Sequence, residues 1–549
     1  MTGAIHPIAG NFNVPLPANE PVHDYAPGSP EADALLAEIK RLSSMTQDIP
    51  LQIGGEVIHT ERTQPVVCPH DHRLVLGNLS LAEESHVHRA IEAALEARHS
   101  WARMPWWERI TIFLRAAELI TGKYRDEVNA ATMLNQSKTF HQAEIDGVCE
   151  LADLIRFNAH YAAEIYNRQP QAVQGGENNY LDQRGLEGFV LAVSPFNFTN
   201  IAGQLPMTAA MMGNTVVWKP SEKSALSTDV IRRIYEEAGL PPGVINTVHG
   251  DGAMVSDICL AHPEFAGMAF VGSTQVFREL WRKTADHIDS YRSYPRLVGE
   301  TGGKNAVLAH PSADPQAVKT GLTRGAFEFQ GQKCSAASRA YVARSVWKQI
   351  RDEYAAQVDG LVVGDVTDHR TFLGAVIDET AYDRLTDAIE RAQQLDSHTL
   401  IAGGTSDKGV GYFVRPTVFE STDPTAFTFE TEFFGPLLVV HVFEDDQWEE
   451  TLRLADRTSP YGLTCSVYAT DRSAIGQALD ILRDTSGYLA INDKPAGMSI
   501  GKQQFAGSRA SGTNDKIGSP LALQRWVSGR FIKENLAPDT DYRYPYMGD

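Results

Sequence analysis

The chain has 549 residues, 43% of them apolar and 21% charged, a globular balance with room for roughly three or four compact units. Its 49 basic and 69 acidic side chains leave a formal charge of −20, which argues against non-specific binding to nucleic acid or anionic membranes. Five cysteines, Cys68, Cys149, Cys259, Cys334 and Cys465, are sparse and never spaced C-x-x-C, so a reducing compartment without a disulfide framework is expected.

Residues 1–30 are rich in Pro, Gly and Asn and read as an extended arm. They lack arginine and a basic-then-apolar leader, and no apolar run in the chain reaches the ~20 residues that span a bilayer. No membrane span and a cytoplasmic location are therefore expected. A helix is predicted near 31–44, then short strands across 51–79 with turns at Gly54-Gly55 and around Pro69. Cys68-Pro69-His70-Asp71-His72 has the residue types of a metal site. No second Cys/His cluster completes it, so it reads as a turn and no metal is expected. Helical patterns follow near 81–100 and 105–121, with Pro105 where a first-turn proline is tolerated. Trp101, Trp106 and Trp107 read as core or subunit-contact residues. A further apolar pattern covers 123–168, with breaks expected near Gln136 and Gly147.

Residues 170–187 are polar and Gly-rich, with strand character at Tyr180-Leu181-Asp182, and read as an excursion from the domain. Buried-strand patterns at 188–193, 215–220, 244–248 and 268–271 then alternate with helical patterns near 201–212, 224–238 and 251–261. Such alternation predicts a parallel sheet covered by helices. A second α/β stretch runs from Glu300 to about 525, and the tail is strand-like at Arg525-Trp526-Val527-Ser528.

Two residues carry the chemistry. Cys334 lies in Phe329-Gln330-Gly331-Gln332-Lys333-Cys334-Ser335, a polar loop in which a thiol can hold an acyl group. Glu300 lies in Leu297-Val298-Gly299-Glu300-Thr301-Gly302-Gly303-Lys304-Asn305 and can activate water to release that group. Asn197, in Ser194-Pro195-Phe196-Asn197-Phe198-Thr199, reads either as an oxyanion donor or as the cap of a helix starting near Asn200. Val271-Gly272-Ser273-Thr274 reads either as a phosphate-binding strand-to-helix turn or as an ordinary capped helix. Lys219-Pro220-Ser221-Glu222 reads either as a ribose contact or as a solvated loop. G-x-G-x-x-G is absent, and Gly250-Asp251-Gly252 reads as a turn.

Taken in order, Ser194–Thr199, Lys219–Glu222, Phe270–Thr274, Leu297–Asn305, Gln332–Ser335 and Glu432–Pro436 resemble the aldehyde dehydrogenase superfamily along nearly the whole chain. Gln142–Asp146, Arg184–Phe189, Gly331–Ser335, Asn492–Pro495 and Ala510–Lys516 resemble, within it, the L-glutamate γ-semialdehyde (Δ1-pyrroline-5-carboxylate) dehydrogenase family. The resemblance implies an α/β fold with a Rossmann-type cofactor domain, an α/β catalytic domain and a small β oligomerisation flap. It implies these boundaries: arm and first part of the cofactor domain 1–168, flap 169–187, cofactor domain 188–299, catalytic domain 300–525, flap 526–549. It further implies NAD-dependent oxidation of L-glutamate γ-semialdehyde to L-glutamate in proline breakdown, by a homodimer or larger homo-oligomer.

By the same resemblance Cys334 is the nucleophile, Glu300 the base and Asn197 the oxyanion donor. Ser194, Lys219, Glu222, Gly272, Ser273, Thr274, Gln275, Val276, Glu432 and Phe434 match cofactor positions. Ser335, Gly497 and Met498 match the loop holding the substrate carboxylate, Phe198 and Phe505 its flanking aromatics, and Glu150 an acid near its ammonium. Met498 stands where the family has Ser or Ala, Gln503–Gly507 replaces Gln-Pro-Phe-Gly-Gly, Ala496 replaces Thr, and Val271 replaces a Thr. These departures leave another short carboxylate-bearing semialdehyde as the alternative substrate.

Overall fold

The computed structural model describes residues 12–171 and 175–548. Part of the expected arm (1–11) and of the expected excursion (172–174) lies outside them. The predicted alternation of strands and helices builds two seven-stranded sheets. In the first, strands run in the order 296–300, 265–271, 189–193, 215–219, 245–247, 51–53 and 56–58. The first five are mutually parallel, and the last two form an antiparallel hairpin on the edge. The hairpin turns at Gly54 and Gly55, both with positive φ. The second sheet runs 398–402, 417–421, 437–443, 337–343, 305–309, 464–468 and 488–491, parallel except for its first pair.

Several segments form where the sequence places them. Helices span Pro30–Ser43, Glu84–Trp101 and Trp106–Thr121, the last started by Pro105. Trp101 is buried and donates its indole N–H to the Ala210 carbonyl at 2.9 Å, while Trp106 stacks on Tyr166. Asp251 caps helix Gly252–Ala261, so Gly250-Asp251-Gly252 is the turn that starts it.

Three expectations are corrected. Gly147 does not break the helix. The chain passes from Phe140–Ala143 through a π-helical stretch, Glu144–Glu150, into Leu151–Asn167. Gly147 lets that stretch lie against helix Arg125–Gln136, because a Cβ there would come within 2.9 Å of Val128. The strand Arg296–Glu300 adds an unexpected member to the first sheet. Its Gly299 is obligatory, since a Cβ would sit 2.1 Å from the Phe277 ring. The tail strand is Ser528–Asn535 rather than 525–528. Trp526 and Val527 are buried in the core of the first unit, and Trp526 accepts from Asn214 at 2.8 Å.

The strand Ser528–Asn535 pairs antiparallel with Glu177–Arg184 as an isolated two-stranded ribbon. The second sheet is complete at Ile491. The following chain returns to the first unit, where Glu300 bridges Gly512 and helix Pro520–Gln524 packs on Leu151–Asn167. The expected 300–525 segment therefore begins and ends against the first sheet. Among the described residues no helix is long and apolar enough to cross a membrane.

Gly188 (φ +130°) opens the strand Phe189–Val193, and a Cβ there would lie 2.0 Å from the Glu264 carbonyl. Gly188→Ala is expected to lower the apparent Tm by about 5 °C or more in differential scanning fluorimetry, through left-handed strain and a backbone clash.

Candidate active site

Cys334 follows a strained turn. Phe329, Gln330 and Gly331 all have left-handed φ, at +52°, +55° and +64°. Only Gly adopts that region freely, so the two side-chain-bearing residues store on the order of 1–2 kcal/mol each. Gln330 is held by three hydrogen bonds. Its Nε2 donates to the Ser137 and Ala375 carbonyls, and its Oε1 accepts from Gly374 N–H. Gly331 is required as well, because a Cβ there would meet the Gly435 carbonyl at 2.4 Å. Beyond the turn, Asn305 Nδ2 donates to the carbonyls of Cys334 (2.7 Å) and Ala336 (2.8 Å).

Asn197 does not cap the helix Thr199–Met211. That helix is capped from a distance by Asp146, whose carboxylate accepts from the N–H groups of Thr199 and Asn200, each at 2.9 Å. Asn197 is left free to turn its amide toward the cysteine loop, where Nδ2 donates to the Gln332 carbonyl at 3.1 Å.

A cavity of about 770 Å³ opens beyond the carboxyl ends of strands 189–193, 215–219 and 265–271, where α/β sheets bind ligands. Cys334, Asn197, Ser194, Lys219, Glu432, Phe434 and Gly272 through Val276 all line it. Helix Thr274–Asp286 points its N-terminus into this space, with Ser273 as its cap. The 271–274 turn is thus a capped helix start that also lines the cavity. Ser194 Oγ is used internally, accepting from the Trp218 indole and donating to the Ala202 carbonyl. Glu222 does not reach the cavity lining. It pairs with Lys219 at 2.6 Å and accepts from Gly250 N–H. Burial pushes its carboxyl up, but the Lys219 charge and hydrogen bond outweigh this and hold it below the usual range.

The remaining predicted residues do not line this cavity. Glu300 accepts from Gly507 N–H at 2.8 Å, and burial raises its carboxyl well above the ordinary carboxylate range. Glu150 is pushed up to about 8 by burial and by Asp146, and it accepts from Asn200 Nδ2. Phe198 meets Phe329 edge-on at 6.2 Å. Phe505 is half-buried and bridges Ile517. Ser335 is buried, and its carbonyl accepts from Thr464. Gly497 is exposed with φ +92°, and Met498 packs onto Leu154, Phe157 and Ile500. The expected loop is tied to the cysteine segment by an ion triad in which Glu328 joins Lys333 (3.1 Å) and Lys494 (2.7 Å). Burial opposes ionisation of Glu328, yet the two lysines bring its carboxyl down to about 2.

The thiol of Cys334 is pushed up to about 12, first by loss of hydration and then by the Glu432 and Glu300 carboxylates. Glu432 itself is raised to about 7 by burial, opposed by the Gly303 N–H it accepts from at 2.8 Å. The site therefore keeps a neutral thiol within the influence of two acids that resist ionisation, on a cavity shared with a side-chain amide and a helix N-terminus. A group of this kind reacts once a base takes its proton.

The aldehyde dehydrogenase family profile matches residues 57–532. The chain belongs to the aldehyde dehydrogenase family. It is 45% identical over 531 residues to the Bos taurus protein named "Delta-1-pyrroline-5-carboxylate dehydrogenase, mitochondrial", covering 96% of this chain and 94% of the bovine one. The crystal structure of the Mycobacterium tuberculosis Delta-pyrroline-5-carboxylate dehydrogenase bound with NAD superposes with a TM-score of 0.95 at 50% identity, covering 99% and 100% of the two chains. A Thermus 1-pyrroline-5-carboxylate dehydrogenase with bound NAD gives 0.88 at 29% identity, covering 95% and 100%.

Sequence reasoning missed Asn305, Asp146 and Lys138 in this aldehyde dehydrogenase site, and also Arg384 and Tyr461, which line the cavity. Asp146 caps a helix more than fifty residues away, a contact that no local pattern signals.

Alkylation of Cys334 by iodoacetamide in the cofactor-free protein, followed by peptide mass spectrometry, is expected to rise about tenfold per pH unit from 7 to 10 without a plateau. Glu432→Gln removes the larger of the two negative charges raising the thiol, so its alkylation at pH 9 is expected to be several-fold faster.

Proposed function

We propose that this chain oxidises L-glutamate γ-semialdehyde to L-glutamate with NAD. The reading rests on one observation above all: Cys334 and Asn197 line the same cavity as the helix-opening turn Gly272–Val276 and Lys219. The relatives' names supply the substrate class. The residues present fit a dinucleotide, with a helix N-terminus and a lysine on a cavity at the sheet's carboxyl edge. Ser194, Lys219, Gly272 to Val276, Glu432 and Phe434 would hold NAD, with Glu222 orienting Lys219 from behind. Bound there, NAD supplies the hydride acceptor.

In this reading Cys334 Sγ, once deprotonated, adds to the aldehyde carbon, and the carbonyl π pair moves onto oxygen. Asn197 Nδ2 exchanges the Gln332 carbonyl for that oxygen and, with Cys334 N–H, stabilises its charge. Departure of the hydride leaves Cys334 as a thioester. Glu300 takes a proton from water, and the hydroxide adds to the thioester carbon and expels the thiolate. The balance is one aldehyde, one NAD and one water giving one carboxylate, one NADH and two protons. Burial raises the proton affinity of Glu300, the direction that strengthens a general base. Ser335, Gly497 and Met498 would receive the substrate carboxylate, Phe198 and Phe505 its aliphatic stem, and Glu150 its ammonium. The Met498 side chain packs onto the buried cluster of Leu154, Phe157 and Ile500, so this loop would meet the carboxylate through its backbone N–H groups.

The exposed ribbon 177–184/528–535 carries Phe531 at 74% exposure, an apolar edge that a second copy would cover. Light scattering at micromolar concentration is expected to give at least a dimer.

Cys334→Ser is expected to abolish NADH formation followed by absorbance, and Asn197→Ala to lower kcat by ~10²–10³. Glu300→Gln is expected to accumulate acyl-enzyme visible by intact-protein mass spectrometry. Near-wild-type NADH formation by Cys334→Ser would overturn the reading, and kcat/KM favouring succinate semialdehyde would overturn the substrate.

A further inference from the structure

Lys138 is among the largest side chains in the molecule with no exposure at all. It carries no role in the mechanism above, yet it touches both halves of the proposed site. Its Nζ pairs with Asp146 Oδ2 at 2.5 Å. The same nitrogen stands 4.1 Å from the centroid of the Phe198 ring and 4.2 Å from that of Phe329. The two rings meet edge-on, 6.2 Å apart.

Each partner leads to a different reacting group. Asp146 holds the first N–H groups of helix Thr199–Met211, and Phe198 is the residue after Asn197, so the lysine grips the oxyanion turn from two sides. Phe329 is the first residue of the left-handed turn 329–331, which leads into Cys334. The neighbour of Lys138, Ser137, is itself left-handed at φ +56° and accepts the Gln330 amide on its carbonyl. Ser137 Oγ also accepts from Ala375 N–H and contacts Nδ1 of His70, whose Nε2 meets Cys68 Sγ at 3.3 Å. The dipeptide Ser137-Lys138 is therefore a joint between the oxyanion turn, the nucleophile turn and the hairpin tip at 68–71.

The charge matters to this joint. Burial pulls the lysine ammonium toward neutrality, and Asp146 opposes that. An ammonium over a ring face is attracted by the ring quadrupole, and more strongly when dry. A neutral side chain of the same length would fill the space and lose both attractions.

We infer that Lys138 is a positioning residue that clamps Phe198 and Phe329 together and so sets the placement of Asn197 relative to Cys334. This rests on the reading that Cys334 and Asn197 carry the chemistry.

Lys138→Met keeps the volume and removes the charge. Loss of ~1 Å of registry at a reacting centre costs on the order of 10²-fold in rate. Lys138→Met is expected to lower kcat for aldehyde oxidation and kcat for p-nitrophenyl acetate hydrolysis by the same factor, about 10²-fold. Its Kd for NAD, from fluorescence titration, is expected to stay within twofold of wild type. Lys138→Met/Asp146→Asn removes the charge left unpaired while keeping one side-chain oxygen to accept from the helix N–H groups; kcat is expected to remain depressed. Phe329→Leu keeps the ion pair, removes one ring, and is expected to reproduce the kcat loss. The inference is overturned if either lysine variant keeps kcat within threefold of wild type, if the double variant restores it, if Phe329→Leu leaves it unchanged, or if NAD affinity falls in parallel with kcat. Absence of aldehyde oxidation by the wild-type protein would instead sink the functional reading on which this one stands.

Discussion

The rest of the site depends on the carbonyl of Cys334 being gripped by the segment that joins the two sheets. Strand Arg296–Glu300 ends the first sheet and Asn305–Ala309 begins the next sheet of the chain, with only Thr301 to Lys304 between them. Within that crossing, Gly303 lies so close to the Cys334 carbonyl that a Cβ would approach it to 2.4 Å, and Asn305 donates to the same oxygen. The nucleophile is thus fastened to the bridge that also carries Glu300. Acid and thiol keep one geometry because they are anchored within five residues of each other.

Around that anchor the site spends stability on order. Consecutive left-handed residues at 329 and 330, a buried lysine between two rings and a carboxyl raised by burial are each unfavourable in isolation. They persist because neighbouring hydrogen bonds overdetermine them: three each on the Gln330 amide, the Asp146 carboxylate and the Asn305 amide. The two charged clusters differ in kind. Lys333–Glu328–Lys494 is a net cation that ties loop to loop, while Lys138–Asp146 is neutral as a pair and works through its geometry.

Periodicity made most of the scaffold legible in the sequence, because the strands of a parallel sheet are continuous apolar runs and their helices repeat on one face. The strand ending at Glu300 escaped because Arg-Leu-Val-Gly-Glu is too polar for such a run, and its glycine answers to Phe277, a distant ring. Trp526 looked like the start of a strand but is a core residue, because its partners come from residues far earlier in the chain. In the site, Cys334 and Asn197 were legible as reactive types in polar loops. Asp146 and Lys138 were not, since an interior ion pair leaves no mark on the local pattern. The Lys219–Glu222 pair shows the converse: a contact at three residues' spacing redirects Glu222 away from the cavity that its type suggested.

The last strand to be made, Ser528–Asn535, pairs with Glu177–Arg184, and Trp526 just before it completes the core of the first unit. During synthesis that core therefore waits for nearly the whole chain to emerge from the ribosome, with a tryptophan-sized gap in it and an unpaired strand beside it. Such long-range closure slows folding and leaves apolar surface open to wrong partners meanwhile. Loss of the segment from Trp526 to Asn535 would thus unsettle a core built mostly from residues translated long before it.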